Sequence, residues 1–140
     1  MVLGVALAII AFAAGFHGAW ALGGQLGLSV SLPQRADGTP VMSHRFSWWR
    51  PAAGAIALLL GVLAVLLLGR AHVLALPLPD GVERAALLAV GVAFVARALV
   101  PNRFVGFFKS QRGTRWAKYD TRLYSPLFLL LGMLVLAQAY

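Results

Sequence analysis

The chain has 140 residues, of which 61% are hydrophobic and 11% charged, and its mean hydropathy is +0.83. Soluble domains are roughly half apolar and a quarter charged, so this composition points to an integral membrane protein and excludes a soluble nucleic-acid binder, even though 12 Lys and Arg against 4 acids leave a net charge of +8. No cysteine is present, which excludes disulfides, thiolate nucleophiles and Cys-based metal centres.

The first apolar block, Val2 to Leu22, is long enough to span a bilayer, which takes about 20 residues. It closes on FHGAWALGG, Phe16 to Gly24, where His17 is the one ionisable side chain of the span. Ala13, Trp20 and Gly24 share the His17 face, while Ala11, Gly15, Gly18 and Leu22 make a neighbouring small-residue stripe suited to close helix contact. Trp20 fits the aromatic belt of a membrane interface, and Gly23 and Gly24 fit a helix stop. Ala19-Trp20-Ala21 has the form of a signal-peptide cleavage site, but no Lys or Arg precedes it and bulky Trp20 occupies its centre, so the block reads as a span.

Arg35, Arg45 and Arg50 follow, and then a second span over about 51–69. A connection carrying only Arg70 and Arg84 leads to a third span over about 84–101, and a last span covers about 121–139. The expected architecture is all-α: a single four-helix membrane bundle over 1–140, with no internal repeat. Basic residues near span ends stay cytoplasmic. Loops one and three, the latter with Arg103, Lys109, Arg112, Arg115, Lys118 and Arg122, are therefore expected inside, with both termini outside.

An ionisable group at mid-span costs about 2.5–3.5 kcal/mol on insertion scales, which marks His17 and Arg97. Both fall toward the cytoplasmic ends of their spans. Side chains lean toward the helix N-terminus, so Arg97 tilts back into the membrane, and Pro101 deprives its carbonyl of the usual helical donor. The bland alternatives are a snorkelling or ion-paired Arg97 and a His17 bonded to a carbonyl. Asp37, Asp80, Glu83 and Asp120 all fall in connections or at span entrances. That placement argues against a proton-coupled antiporter and against a two-carboxylate hydrolase. His17, His44 and His72 fit no metal-ligand spacing, and no cofactor motif occurs.

The stretch Asn102 to Pro126 interleaves Phe104, Phe107 and Phe108 with Arg103, Lys109 and Arg112. This pattern predicts a short helix in the headgroup layer that attracts anionic lipid headgroups over 102–122. Single-stranded nucleic acid is the less favoured partner for a loop tethered to spans. Asp120 is a lone acid among Arg115, Lys118 and Arg122, placed to cap a helix or to neutralise those neighbours. Ser125-Pro126 reads as N-cap and first helical residue, which leaves a last helix of only about 15 residues, or about 22 Å. Asp120 would then sit at an irregular entrance near the layer of His17 and Arg97, and a His17, Arg97, Asp120 cluster is expected.

F-H-x-x-W-A-L-G-G at Phe16 to Gly24, N-R-x-x-G-F-F-K at Asn102 to Lys109, and D-T-R-L-Y-S-P-L at Asp120 to Leu127 resemble the small bacterial membrane proteins of domain-of-unknown-function family 3995. The resemblance covers nearly the whole chain and implies a four-span membrane protein, with no activity, substrate or cofactor attached. The matching positions are His17, Trp20, Gly23, Gly24, Asn102, Arg103, Gly106, Phe107, Lys109, Asp120, Thr121, Tyr124, Ser125 and Pro126. Phe128 is a departure, because relatives often carry Cys there, and it puts a thiol-based role in doubt.

The expected function is binding of a lipid, an amphiphile or a protein partner at the cytoplasmic face, through His17, Trp20, Arg97, Asn102, Arg103, Lys109, Asp120 and Tyr124. A membrane enzyme with His17 as acid or base, oriented by Asp120 and with Arg97 as anion stabiliser, is the alternative. A small transporter would need a homo-oligomer, since four short helices leave little room for a pathway.

Overall fold

The computed structural model describes residues 1–42 and 48–140. His44 and Arg45, both weighed in the sequence, lie outside the described residues. The elements in chain order are α1 (Val2–Ala21), α2 (Leu28–Ser31), α3 (Trp49–Arg70), α4 (Asp80–Leu99), α5 (Arg115–Tyr119), a π-helical turn (Asp120–Tyr124) and α6 (Ser125–Gln138). Among the described residues every element is helical.

α1 stops where its glycines stand. Gly23 has φ +101°, a left-handed conformation that glycine adopts without strain, and the Gly24 amide turns back to donate to the Ala19 carbonyl at 2.8 Å. α4 starts at Asp80, earlier than the expected 84, because its first turn carries Asp80 and Glu83 against the positive end of the helix dipole. It stops at Leu99, just short of Pro101, before which the α conformation is disfavoured.

The last helix corrects the sequence reading. Ser125-Pro126 does not begin it: helix is continuous over Arg115–Gln138, 24 residues. Thr114 is the N-cap, its hydroxyl accepting from the Ala117 amide at 3.1 Å. Pro126 has no N–H to give to the preceding turn, and the chain widens just before it. The Ser125 amide reaches back five residues to the Asp120 carbonyl, so the helix passes through proline without breaking.

Among the described residues three helices are long and apolar enough to cross a membrane: α1, α3 and the stretch Arg115–Gln138. α4 is 20 residues long but carries Asp80, Glu83, Arg84 and Arg97.

The helices run up and down. Arg50, at the start of α3, donates through Nε to the Ala21 carbonyl at the end of α1, at 2.9 Å. Arg84, in the first turns of α4, lies 4.8 Å from the ring centre of Tyr140, just past α6, whereas Arg97 near the other end lies 4.3 Å from that of Phe128. The core joins Ala6 and Ile10 of α1, Leu63 and Leu67 of α3, Leu87 of α4, and Leu131, Val135 and Ala139 in or beside α6. Both chain ends thus share one end of the bundle with the 71–79 connection, and the segments after α1 and α4 share the other.

α4 and α6 cross closely at Gly91 and Gly132. A Cβ on Gly132 would lie 2.9 Å from the Gly91 carbonyl oxygen and 3.0 Å from the Val95 amide nitrogen. Lipid tails are as apolar as leucine, so such backbone approach, not exclusion of water, is what draws helices together in a bilayer. The stripe expected to do this on α1 does not: a Cβ on Gly15 or Gly18 meets nothing within 4 Å.

At the loop end Trp20 is buried with Leu28, Leu32 and Ala53, and its indole N–H donates to the Leu26 carbonyl at 2.9 Å. It is a packed strut, not a free interfacial anchor. The segment after α1 also meets α5 and the π turn. Ser31 and Tyr124 share a hydrogen bond between hydroxyls at 3.0 Å, and the Gln34 side-chain oxygen accepts from the Trp116 amide at 3.1 Å.

A buried ion cluster beneath a basic face

The site is built by the chain that leaves α4. Beyond Leu99 it doubles back over the helix end, where the Phe107 amide donates to the Ala98 carbonyl at 2.8 Å. Gly106 makes this approach possible. Its φ is +88°, and a Cβ there would lie 2.9 Å from the Ala98 carbonyl oxygen and 3.0 Å from that of Arg97. The interfacial helix expected over Phe104 to Arg112 is therefore absent; this segment is turns and bends.

Asp120 is fully buried and is the acceptor around which four elements meet. Its Oδ1 takes a hydrogen bond from Arg97 Nη2 of α4 at 2.5 Å. Its Oδ2 accepts from the Gly106 amide at 3.0 Å, from Lys109 Nζ at 2.9 Å and from the Ser125 hydroxyl at 3.1 Å. Ser125 in turn accepts from Arg97 Nη1 at 3.3 Å, and the Arg97 guanidinium also sits over Phe128, the position of the departure noted above. Lys109, only 1% exposed, uses its remaining protons on the Gly106 carbonyl at 2.8 Å and the Thr121 hydroxyl oxygen at 2.6 Å. Two expectations are corrected here. Lys109 is not a headgroup-facing cation, because three acceptors converge on it inside the fold. Asp120 neither caps a helix nor neutralises Arg115, Lys118 and Arg122, because Arg97 and Lys109 occupy both of its oxygens. It also lies inside a continuous helix and not at an irregular entrance.

Of the expected cluster, Arg97 and Asp120 come together and His17 does not join them. His17 Nδ1 is within hydrogen-bond distance of the Ala13 carbonyl oxygen, 2.9 Å, and its ring meets Trp20 edge-on. The carbonyl-bonded alternative is the observed one, and no hydrogen bond links His17 to Asp120 among the described residues. Asn102 accepts from the Phe104 amide through its side chain, closing a local turn, and Arg103 lies over the Phe104 ring at 5.2 Å. Tyr124 stacks on Trp116 with ring centres 5.3 Å apart.

Sequence reasoning assigned no role to Gly106 or Thr121, and it gave Ser125 only that of a helix cap. Charge arithmetic was the available signal: one acid among many bases, just ahead of an apolar stretch, invites burial with a selected few of them. Glu83, placed at a span entrance from sequence, is buried within α4 against Gly69, and its Oε1 has no hydrogen-bond partner among the described residues.

Withdrawal of Asp120 into the fold leaves a cationic surface. Arg103, Arg112, Arg115, Lys118 and Arg122 are exposed, and none makes an ion pair among the described residues. Arg112, Lys118, Arg122 and Thr121 line a depression of about 250 Å³ whose apolar wall is Phe107 and Ala117.

Fold and site together define, among the described residues, an all-helical protein with three helices long and apolar enough to cross a membrane, and with the buried ion cluster at one end. The chain belongs to the family described as protein of unknown function DUF3995, whose sequence profile matches residues 7–135. No curated protein and no solved structure matches it.

Proposed function

We propose that the protein crosses a bacterial inner membrane four times, with the segments after α1 and α4 in the cytoplasm, and binds anionic amphiphiles at that face. The observation that carries this reading is the burial of Asp120, which removes the only acid of the 102–122 segment from a surface holding Arg103, Arg112, Arg115, Lys118 and Arg122. Each exposed cation near an anionic leaflet contributes about 1 kcal/mol of attraction. α4 joins as the fourth span because Arg97 is paired with Asp120, and a paired guanidinium is far less costly to hold at membrane depth than a bare one.

Native mass spectrometry of the detergent-purified protein tests this. Wild type should retain anionic phospholipid, the triple variant Arg112→Gln, Lys118→Gln, Arg122→Gln should lose it, and His17→Ala should retain it. Equal retention by wild type and the triple variant refutes the reading.

A further inference from the structure

The buried cluster does not balance its own charge. Arg97 and Lys109 face one carboxylate, Asp120, so an excess positive charge lies just beneath Thr121. The Thr121 hydroxyl accepts from Lys109 Nζ, which directs its own hydrogen away from the ammonium, and Thr121 lines the depression on the other side. Arg112 has Nε tied to the Lys109 carbonyl at 3.1 Å, leaving its two terminal amino groups unclaimed among the described residues, and Lys118 and Arg122 complete the rim. We propose that this depression is a phosphomonoester site: a terminal phosphate accepts from Thr121 and from the Arg112, Lys118 and Arg122 side chains, and supplies the counter-charge that the cluster lacks.

The inference rests on the reading of this face as anion-binding and narrows it to one headgroup class. A phosphomonoester carries about −1.5 to −2 charge at neutral pH and three strong acceptor oxygens. A phosphodiester offers one charge and two free oxygens, too few for three cations and a hydroxyl. Phe107 and Ala117, on the apolar wall, suit the glycerol and first methylenes of a lipid. The same phosphate chemistry is offered by a lipid headgroup or by free phosphate.

Isothermal titration of the detergent-solubilised chain with dihexanoyl phosphatidate, dihexanoyl phosphatidylglycerol and inorganic phosphate separates these cases. Phosphatidate should bind about tenfold tighter than phosphatidylglycerol, and Thr121→Val should lose about tenfold for phosphatidate alone, with Thr121→Ser restoring it. Displacement of phosphatidate by millimolar phosphate supports the site with free phosphate as a ligand; no displacement supports it with a lipid ligand. Equal affinity for the two lipids, or a Thr121→Val variant that binds phosphatidate as wild type does, overturns the site while leaving general anionic-lipid binding in place. Binding of neither lipid overturns both.

Discussion

Asp120 holds two cations that cannot both be left without it. Asp120→Asn keeps the shape of the side chain but leaves Lys109, 1% exposed, and Arg97 without a counter-charge. Breaking a buried pair in this way costs about 3–5 kcal/mol, and the loss should appear as a lower midpoint in thermal or denaturant unfolding in detergent. Lys109→Met should cost distinctly less, because Asp120 then still has Arg97, the Gly106 amide and Ser125. A larger loss for Lys109→Met than for Asp120→Asn would refute the charge argument. Gly106→Ala should destabilise by more than about 1 kcal/mol in the same assay, since a Cβ would be forced both into the left-handed region and onto the Ala98 carbonyl. Arg97 and Asp120 were legible as partners because an arginine inside an apolar span has to find an acceptor. Lys109 was not: nothing in a run of aromatics and bases marks which base turns inward, and that choice is made by Gly106 folding the chain back over α4.

The helices divide into those that pack through glycine and those whose glycines face outward. Gly132→Ala sets a Cβ against the backbone of Gly91 and Val95 and should cost about 1–3 kcal/mol, whereas Gly15→Ala and Gly18→Ala meet open space and should be close to neutral. Unfolding midpoints of the three variants in one detergent check the contrast, and a Gly15→Ala loss as large as that of Gly132→Ala would contradict it. From sequence, the Gly15 and Gly18 stripe was the expected interface, since small residues recur there at helical spacing. Gly91 and Gly132 stand singly on separate helices and become a pair only when α4 and α6 meet. The start of the last helix was misread for a related reason. Ser125-Pro126 has the form of a cap, but Ser125 is spent on Asp120 and Arg97, and the π turn absorbs the proline.

For the whole molecule, the up-and-down path carries a topological consequence. The chain has no cysteine, so single-cysteine variants report cleanly. Val73→Cys and Ser110→Cys, on either side of α4, should be labelled by a membrane-impermeant maleimide from opposite sides, with Ser110 cytoplasmic. Labelling from the same side would show that α4 does not cross. The positive-inside argument could be made from sequence because it needs only the positions of charges along the chain. The emptiness of the basic face of acid could not, because it depends on one carboxylate being withdrawn by contacts distant in sequence.

The central claim, that this face recruits anionic lipid, is tested most directly by electron paramagnetic resonance of spin-labelled lipids in membranes reconstituted with the protein. Spin-labelled phosphatidic acid should be immobilised several-fold more than phosphatidylcholine, with the preference shrinking as salt screens exposed charge and vanishing in the Arg112→Gln, Lys118→Gln, Arg122→Gln variant. Equal immobilisation of the two lipids by wild type at low salt would contradict the account.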